Sequence, residues 1–144
     1  MKNLILLLFA LCVGSGIQAQ VHFKTTSLDA VRAEAVKENK LVFIDLTASW
    51  CGPCKGMERT TFLQKDVGDF MAQHFVCAKY DIDQAIGSAL VKEYRITSIP
   101  TFLIFNVQGE LVGQTSGARS AEDFLRDMKQ LLQEIAIQKA KPQK

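Results

Sequence analysis

The sequence is poor in proline and histidine and carries almost no excess of charge of either sign. Its 144 residues include 3 prolines, 2 histidines and 1 tryptophan, and the formal net charge is +2. So small a charge argues against nucleic acid or an anionic membrane surface as a binding partner. Hydrophobic residues make up 48% of the chain and charged residues 22%, the balance of an ordinary globular protein. The length suits a single domain that can bury a sizeable core.

The sequence also lacks a hydrophobic run long enough to cross a membrane. The run from Leu4 to Val13 falls short of the roughly 20 apolar residues that a bilayer span requires. Lys2 precedes this run, glycine and serine end it, and Ala19 offers a signal peptidase a small residue. These features predict a secretory signal peptide, and therefore an exported, periplasmic protein with no stable membrane insertion after cleavage. An uncleaved anchor and a lipid attached to Cys12 are the alternatives.

Signal cleavage divides the chain into three predicted parts. We assign residues 1–19 to the signal peptide, residues 20–138 to a single domain and residues 139–144 to a polar tail. No internal repeat, low-complexity tract or linker is visible within the domain. Nothing in the pattern indicates an oligomer, so we expect a monomer.

Cysteine is too scarce to form a disulfide scaffold. Removal of the signal peptide leaves Cys51, Cys54 and Cys77, and an odd number is not typical of an exported protein stabilised by disulfides. Two close cysteines and one distant cysteine fit a redox pair and a bystander. Because Cys77 lies within an apolar run, we expect it to pack as a small, inert side chain.

The hydrophobic pattern predicts an α/β fold with elements in the order αβαβαββα. The last two strands form an antiparallel hairpin, so the sheet is mixed. Asp45 is anomalous in an otherwise apolar first strand, because an unpartnered buried carboxylate costs free energy and burial raises its pKa. Helices are expected from Ser27 to Asn39, from Cys51 onward with a break over 64–68, after an N-cap at Asp83, and from Ser120 onward. Strands are expected over 41–46, 75–80, 101–105 and 110–114.

The chemistry is concentrated in the segment Trp50-Cys51-Gly52-Pro53-Cys54-Lys55, at the start of a predicted helix. Cysteines at this spacing can close a small disulfide without unwinding the helix. Unpaired N–H groups and the helix dipole favour negative charge on the first sulfur, which raises its thiolate fraction near neutral pH. The second sulfur lies about one turn inside, more shielded, where it can attack a mixed disulfide. One helix thus supplies an attacking and a resolving sulfur.

Two rival interpretations use the same residues differently. His74 and Cys77, added to Cys51 and Cys54, give four potential ligands for a structural zinc site. That arrangement would require Cys77 to leave an apolar strand, and it would give Pro100 no role. The other rival keeps the fold without catalysis, as a chaperone-like binding module. The sequence has no nucleotide-binding glycine motif and no flavin or metal signature, so we expect no cofactor beyond a redox-active Cys51–Cys54 disulfide.

The active-site segment resembles that of the thioredoxin family. The resemblance extends over Phe43-Ile44-Asp45 to Lys55, over Lys79-Tyr80-Asp81-Ile82-Asp83, and over Ser98-Ile99-Pro100-Thr101-Phe102. It covers roughly residues 28 to 132 and implies a thioredoxin fold, a central mixed sheet flanked by helices on both faces. The stretch Lys55 to Phe62 lacks the family's usual helix proline and is more similar to the C-terminal thioredoxin-like domain of DsbD.

The resemblance also implies roles for individual residues. Asp45 would transfer protons with the resolving cysteine, although a core acid paired with Lys79 is an alternative. Pro100 would be cis and would present the Ile99 backbone to an extended substrate segment, although an ordinary proline at a strand start is also possible. Trp50 would be a partly exposed docking surface rather than a core aromatic. The substrate-binding residues implied are Trp50, Gly52, Pro53, Ile99 and Pro100, with Lys79 as a supporting residue.

The resemblance further implies a reaction and its partners. Gly-Pro between the cysteines resembles reducing members of the family, which favours a reductase of disulfide-containing proteins. An oxidant or an isomerase of the same fold is the alternative. An exported reductase would need a membrane thiol protein as its electron donor.

Overall fold

The computed structural model describes residues 20–140, so the predicted signal peptide lies outside the described residues. Four strands form one mixed sheet in the order β2-β1-β3-β4, in which β1 is parallel to β2 and antiparallel to β3, and β3 is antiparallel to β4. The strands are β1 (Leu41–Thr47), β2 (Phe75–Asp81), β3 (Thr101–Phe105) and β4 (Leu111–Ser116). The helices are α1 (Leu28–Glu38), α2 (Gly52–Arg59), α3 (Lys65–His74), α4 (Ala85–Glu93) and α5 (Ala121–Ala140), with a 3-10 turn at Thr61–Leu63.

Helix α1 begins and ends as its sequence predicts. The Ser27 hydroxyl accepts a hydrogen bond from the Ala30 N–H, which satisfies one of the free donors of the first turn. Asn39 closes the helix in the left-handed conformation, with φ 51°, which asparagine tolerates better than most residues. The next residues enter β1 directly, so the cap sets where the central strand starts.

The alternation of β1 builds two cores, one on each face of the sheet. Phe43 points into a core with the residues of α3 and α5, while Val42 and Ile44 point into a core with those of α1 and α4. The Phe43 ring stacks on Phe102 with centroids 5.3 Å apart. Since consecutive strand residues face opposite sides, Asp45 lies on the Phe43 side. The predicted mixed sheet with helices on both faces is confirmed.

Residues 20–26 lie along the outer side of β2. The Lys24 N–H donates to the Cys77 carbonyl and the Lys24 carbonyl accepts from the Lys79 N–H, both at 2.9 Å. Lys24 thereby forms a parallel bridge with Ala78. This segment covers part of what would otherwise be a free sheet edge.

Several predicted boundaries differ from the observed ones. Asp83 does not cap α4: Gln84 precedes the helix, no side chain caps it, and the Asp83 carboxylate binds Trp50 instead. The break after α2 falls at residues 60–64, earlier than the predicted 64–68. Helix α5 continues through Lys139 and Ala140, which the sequence assigns to the tail. In residues 20–140, no helix has the length and apolar character of a membrane span.

Candidate active site

Cys51 and Cys54 form a disulfide at the N-terminus of α2. Their sulfurs are bonded at 2.07 Å and their Cα atoms are 5.4 Å apart. Cys51 is the N-cap of the helix, and its sulfur accepts a hydrogen bond from the Cys54 N–H at 3.2 Å. An N-cap side-chain atom accepts hydrogen bonds from backbone N–H groups that have no partner within the helix. The same donor and the helix dipole would favour a thiolate on Cys51 once the disulfide is reduced.

The local sequence explains this placement. The Cys51 N–H donates to the Ala48 carbonyl at 3.1 Å, which turns the chain between β1 and α2. Pro53 stands in the first helical turn, where its missing N–H and fixed φ cost nothing. Gly52 and Pro53 are exposed, whereas the two cysteines are 4% and 2% exposed. Both sulfurs are therefore buried, and the predicted difference in shielding is small in the disulfide form.

The loop before β3 packs against the disulfide. The Ile99–Pro100 peptide bond is cis, as predicted, and Ile99 and Ile82 pack against the buried cluster of Ala48 and the two cysteines. The Pro100 carbonyl accepts a hydrogen bond from the Gly117 N–H at 2.9 Å. Among the described residues, none hydrogen-bonds to the Ile99 backbone. A free backbone edge beside the sulfurs is suited to pairing with an extended peptide.

Trp50 is exposed beside the disulfide, as the docking-surface interpretation predicts. Its side chain is 65% exposed. The indole Nε1–H donates to the Asp83 carboxylate at 2.8 Å, and the Asp83 N–H donates to the Asp81 carboxylate at 2.8 Å. The indole is therefore held by a short chain of hydrogen bonds that begins at the end of β2. Sequence reasoning missed this partner because it assigned Asp83 to the helix cap.

Asp45 is buried on the same side of the sheet as Phe43. It is 2% exposed, and its Oδ1 atom has no hydrogen-bond partner. Burial raises the pKa of its carboxyl from 3.8 to about 7, with Lys79 opposing and Glu58 adding to the rise. A carboxyl that titrates near neutral pH can both give and accept a proton, which is the property of an acid–base group.

The charged partner of Lys79 is Glu58, which the sequence analysis did not single out. The Lys79 ammonium donates to the Glu58 carboxylate at 2.8 Å, although Lys79 is the register partner of Asp45 across β1 and β2. The alternative interpretation, a core acid paired with Lys79, is therefore not observed: Lys79 pairs with Glu58, and Oδ1 of Asp45 has no hydrogen-bond partner. The only sequence signal for Glu58 was its position one helical turn after Cys54.

Cys77 is a buried free thiol, as predicted. Burial, with a smaller contribution from the Asp45 carboxylate, raises the pKa of this thiol to about 12. Its neighbour in the zinc hypothesis, His74, packs its ring against Phe70 with centroids 4.7 Å apart. Within residues 20–140, no three histidine, cysteine, aspartate or glutamate side chains lie together as a metal site would require. The zinc alternative thus has no ligand cluster in the described part of the chain.

A helix-capping disulfide with a cis-proline loop beside it, and a buried acid in the strand that leads to it, on a mixed four-stranded sheet, define a thiol–disulfide oxidoreductase. Comparison with known proteins gives the family. The model of the Thioredoxin-like domain family matches residues 28–132. The chain belongs to this family.

The similar proteins are thioredoxins and thiol–disulfide exchange proteins. The chain is 34% identical to the thiol:disulfide interchange protein DsbD of Colwellia psychrerythraea over 116 residues, 75% of this chain but 19% of that protein. It is 36% identical to the mitochondrial thioredoxin-3 of Saccharomyces cerevisiae over 107 residues, 73% of this chain and 78% of that protein. The C-terminal domain of Neisseria meningitidis DsbD in the oxidised form aligns with a TM-score of 0.60 at 27% identity, covering 76% of this chain and 97% of that one. The chain thus spans about a fifth of the full-length DsbD it matches.

Proposed function

We propose that this protein reduces disulfide bonds in other proteins outside the cytoplasm. The observation that carries the proposal is the Cys51 sulfur, which caps α2, accepts the Cys54 N–H and lies beside the unpaired backbone of Ile99. A sulfur in this position is activated for attack, and an extended substrate can pair with the adjacent loop. A zinc module or a non-catalytic binding module would give no role to one or both of these features, the activated sulfur and the free backbone of the adjacent loop.

The reaction proceeds in two exchanges. The Cys51 thiolate attacks one sulfur of a substrate disulfide, which forms a mixed disulfide and releases the other substrate sulfur as a thiolate that takes a proton from solvent. Cys54 then loses its proton to Asp45 and attacks the Cys51 sulfur. The second substrate sulfur leaves as a thiolate, and the Cys51–Cys54 disulfide forms. Two electrons have passed from the protein to the substrate.

Asp45 is the proton acceptor for the second exchange. Its pKa of about 7 leaves part of the population ionised at neutral pH and able to take a proton. The Oδ1 atom of Asp45 has no hydrogen-bond partner and can accept that proton. Burial is the main cause of this raised pKa, while the charge of Lys79 opposes the rise and that of Glu58 adds to it.

The proposed direction of electron transfer and the proposed electron donor are inferred from the sequence. Gly52-Pro53 between the cysteines resembles the reducing members of the family, and the predicted signal peptide would place the protein in the periplasm. The oxidised pair would be reduced by a membrane thiol protein. The alternative direction, oxidation or isomerisation of substrate disulfides, uses the same residues with a more oxidising potential.

Equilibration of the pair against glutathione mixtures tests the direction. A reductase requires a Cys51–Cys54 potential clearly more reducing than the glutathione couple. A potential equal to that couple or more oxidising would assign the protein to the oxidants or isomerases. The Cys51→Ser variant is expected to lose activity on protein disulfides, and the Cys54→Ser variant is expected to accumulate mixed disulfides.

Expression of the full chain tests the location. The mature protein is expected in the periplasmic fraction with Gln20 as its first residue. Recovery of the intact chain from the membrane fraction would instead support the uncleaved anchor.

A further inference from the structure

The Arg119 side chain hydrogen-bonds to several neighbouring groups at once. Its guanidinium donates to the Ser116 carbonyl at 2.9 Å, to the Gly117 carbonyl at 2.7 Å and to the Thr115 hydroxyl at 2.7 Å. Its Nε–H donates to the Asp127 carboxylate on α5. These four acceptors lie at the end of β4, in the loop that follows it and on the next helix.

The backbone of Arg119 is hydrogen-bonded to a residue outside the loop. The buried Thr61 hydroxyl donates to the Arg119 carbonyl at 2.7 Å. Thr61 belongs to the 3-10 turn that follows α2, the helix that carries both cysteines. The loop of residues 117–120 is therefore held both by the turn that follows α2 and by α5.

The loop that Arg119 holds contacts the cis-proline loop directly. The Gly117 N–H donates to the Pro100 carbonyl at 2.9 Å, and Gly117 has the φ of +95° that favours glycine. Arg119 binds the carbonyl of this same Gly117. A continuous path of hydrogen bonds thus runs from the guanidinium to the residue that follows Ile99.

The ion pair with Asp127 does not account for this arrangement. The two side chains are 23% and 30% exposed, and partly exposed pairs contribute little to stability. Three of the four side-chain bonds go to neutral acceptors at the end of β4 and in the loop, which only a planar fork of several donors can reach at once. A lysine at this position could keep the charge next to Asp127 but not the set of loop contacts.

We propose that Arg119 is a positioning residue that holds Gly117 against Pro100 and thereby fixes the Ile99 edge for an extended segment of a protein substrate. This inference rests on the proposed function, since it concerns how a protein substrate docks. It predicts a distinction between substrates: a protein disulfide must pair with the edge, whereas a small disulfide needs only access to Cys51. Arg119 thus contributes to the preference for protein disulfides and not to the reactivity of the sulfur.

The test compares four variants of the full mature protein. Arg119→Gln removes the charge and most of the donors, and Arg119→Lys keeps the charge but not the fork. Arg126→Gln is the matched control, because Arg126 also bonds to acids on α5, to Asp123 at 2.6 Å, but not to the loop. Asp127→Asn weakens the ion pair while leaving the loop contacts in place.

Five measurements are made on each variant, and the first three concern the reaction. The first is kcat/KM for reduction of insulin, the second is the rate with the small disulfide dithiobis(nitrobenzoate), and the third is the potential of the Cys51–Cys54 pair. Hydrogen exchange of the Gly117 amide is followed as a readout that requires no activity. Thermal unfolding identifies any variant that is simply less stable.

For Arg119→Gln and Arg119→Lys we expect kcat/KM on insulin to fall roughly tenfold, because small misplacements of a docking site are costly. The rate with the small disulfide and the equilibrium constant between the Cys51–Cys54 pair and glutathione stay within about twofold of the wild type, and Gly117 exchange becomes faster. Arg126→Gln and Asp127→Asn behave as the wild type. Unchanged Gly117 exchange, or an equal loss on both substrates, would overturn the proposal. A wild-type protein inactive on insulin would instead defeat the proposed function, and the exchange experiment would still decide the role of Arg119.

Discussion

The indole of Trp50 is held in place by Asp83, whose carboxylate accepts its Nε1–H at 2.8 Å. This bond spans 33 residues of sequence and joins the active-site turn to the end of β2. An exposed aromatic side chain loses less conformational freedom on binding when it is already held in one position. Asp83 therefore holds Trp50 in position within the proposed docking surface.

Replacement of Asp83 by Asn should loosen Trp50. Because Trp50 is the only tryptophan among the 144 residues, its fluorescence reports on this site alone. We expect a lower anisotropy and faster quenching by acrylamide, since the charged acceptor of the indole is lost. Asp69→Asn, on the exposed face of α3, is the control, and equal behaviour of the two variants would contradict the prediction.

Asp45→Asn should slow the second exchange more than the first. Without this acid–base group, the rate of substrate release from the mixed disulfide is expected to fall by about one to two orders of magnitude. In the wild type this rate should rise as the pH passes about 7, where Asp45 ionises. Stopped-flow release of a fluorescent peptide from Cys51 measures both effects. A variant that keeps the wild-type pH profile would exclude Asp45 as the proton acceptor.

The same substitution should change the dependence of stability on pH. The folded-state pKa of Asp45 lies near 7 and the ordinary value is 3.8, so the unfolded chain loses this proton at lower pH. The stabilising effect of the neutral carboxyl is complete below pH 3.8 and is lost as the pH rises through 7. Asp45→Asn removes this dependence, so we expect it to stabilise the oxidised protein at pH 8 relative to the wild type. Denaturant unfolding at pH 5 and 8 checks the sign, and a variant less stable at both pH values would contradict it.

Glu58→Gln should lower the pKa of Asp45. The negative charge of Glu58 raises that pKa, and the carboxylate also holds the Lys79 ammonium. Removing the charge takes away the repulsion and leaves Lys79 to favour the ionised form of Asp45. Carbon-13 NMR titration of the Asp45 carboxyl measures the shift. Glu122→Gln, in the exposed first turn of α5, should leave it unchanged, and a rise in the variant would show that the sign is wrong.

Two glycines should respond in opposite directions to alanine. A Cβ on Gly87 would lie 2.1 Å from the Asp81 carbonyl oxygen, whereas a Cβ on Gly56 meets nothing within 4 Å. Gly87→Ala is therefore expected to destabilise the protein by about 1–3 kcal/mol. Gly56→Ala, within α2, should stabilise it by about 0.5–1 kcal/mol, since alanine loses less entropy on folding. Urea unfolding of both variants measures the difference, and a stable Gly87→Ala protein would mean that α4 can move away from β2.

The parts of the site that follow from local sequence could be predicted. Cys51, Pro53 and Cys54, within four residues, indicate the start of a helix, and Asp45 stands out because a charge interrupts an apolar strand. The cis-proline loop was predictable only through the resemblance to the thioredoxin family. All of these features are specified by neighbours in sequence or by one recognisable motif.

The remaining parts depend on contacts between distant residues. Glu58 reaches Lys79 across 21 positions, and Thr61 reaches the Arg119 carbonyl across 58. Asp83 has the residue type of a helix cap, but a tryptophan 33 positions away takes its carboxylate. A single sequence gives propensities and periods, and neither encodes which of several acceptors a side chain finds once the sheet has formed.

The bridge between Lys24 and Ala78 gives the first residues after the predicted cleavage point a protective role. β2 is an outer strand of the sheet, and its free N–H and carbonyl groups would be a template for a strand of another molecule. By occupying two of these groups, residues 20–26 block such pairing from within the same chain. The β2 edge of the sheet can therefore lack a full partner strand and still resist polymerisation by strand pairing between molecules.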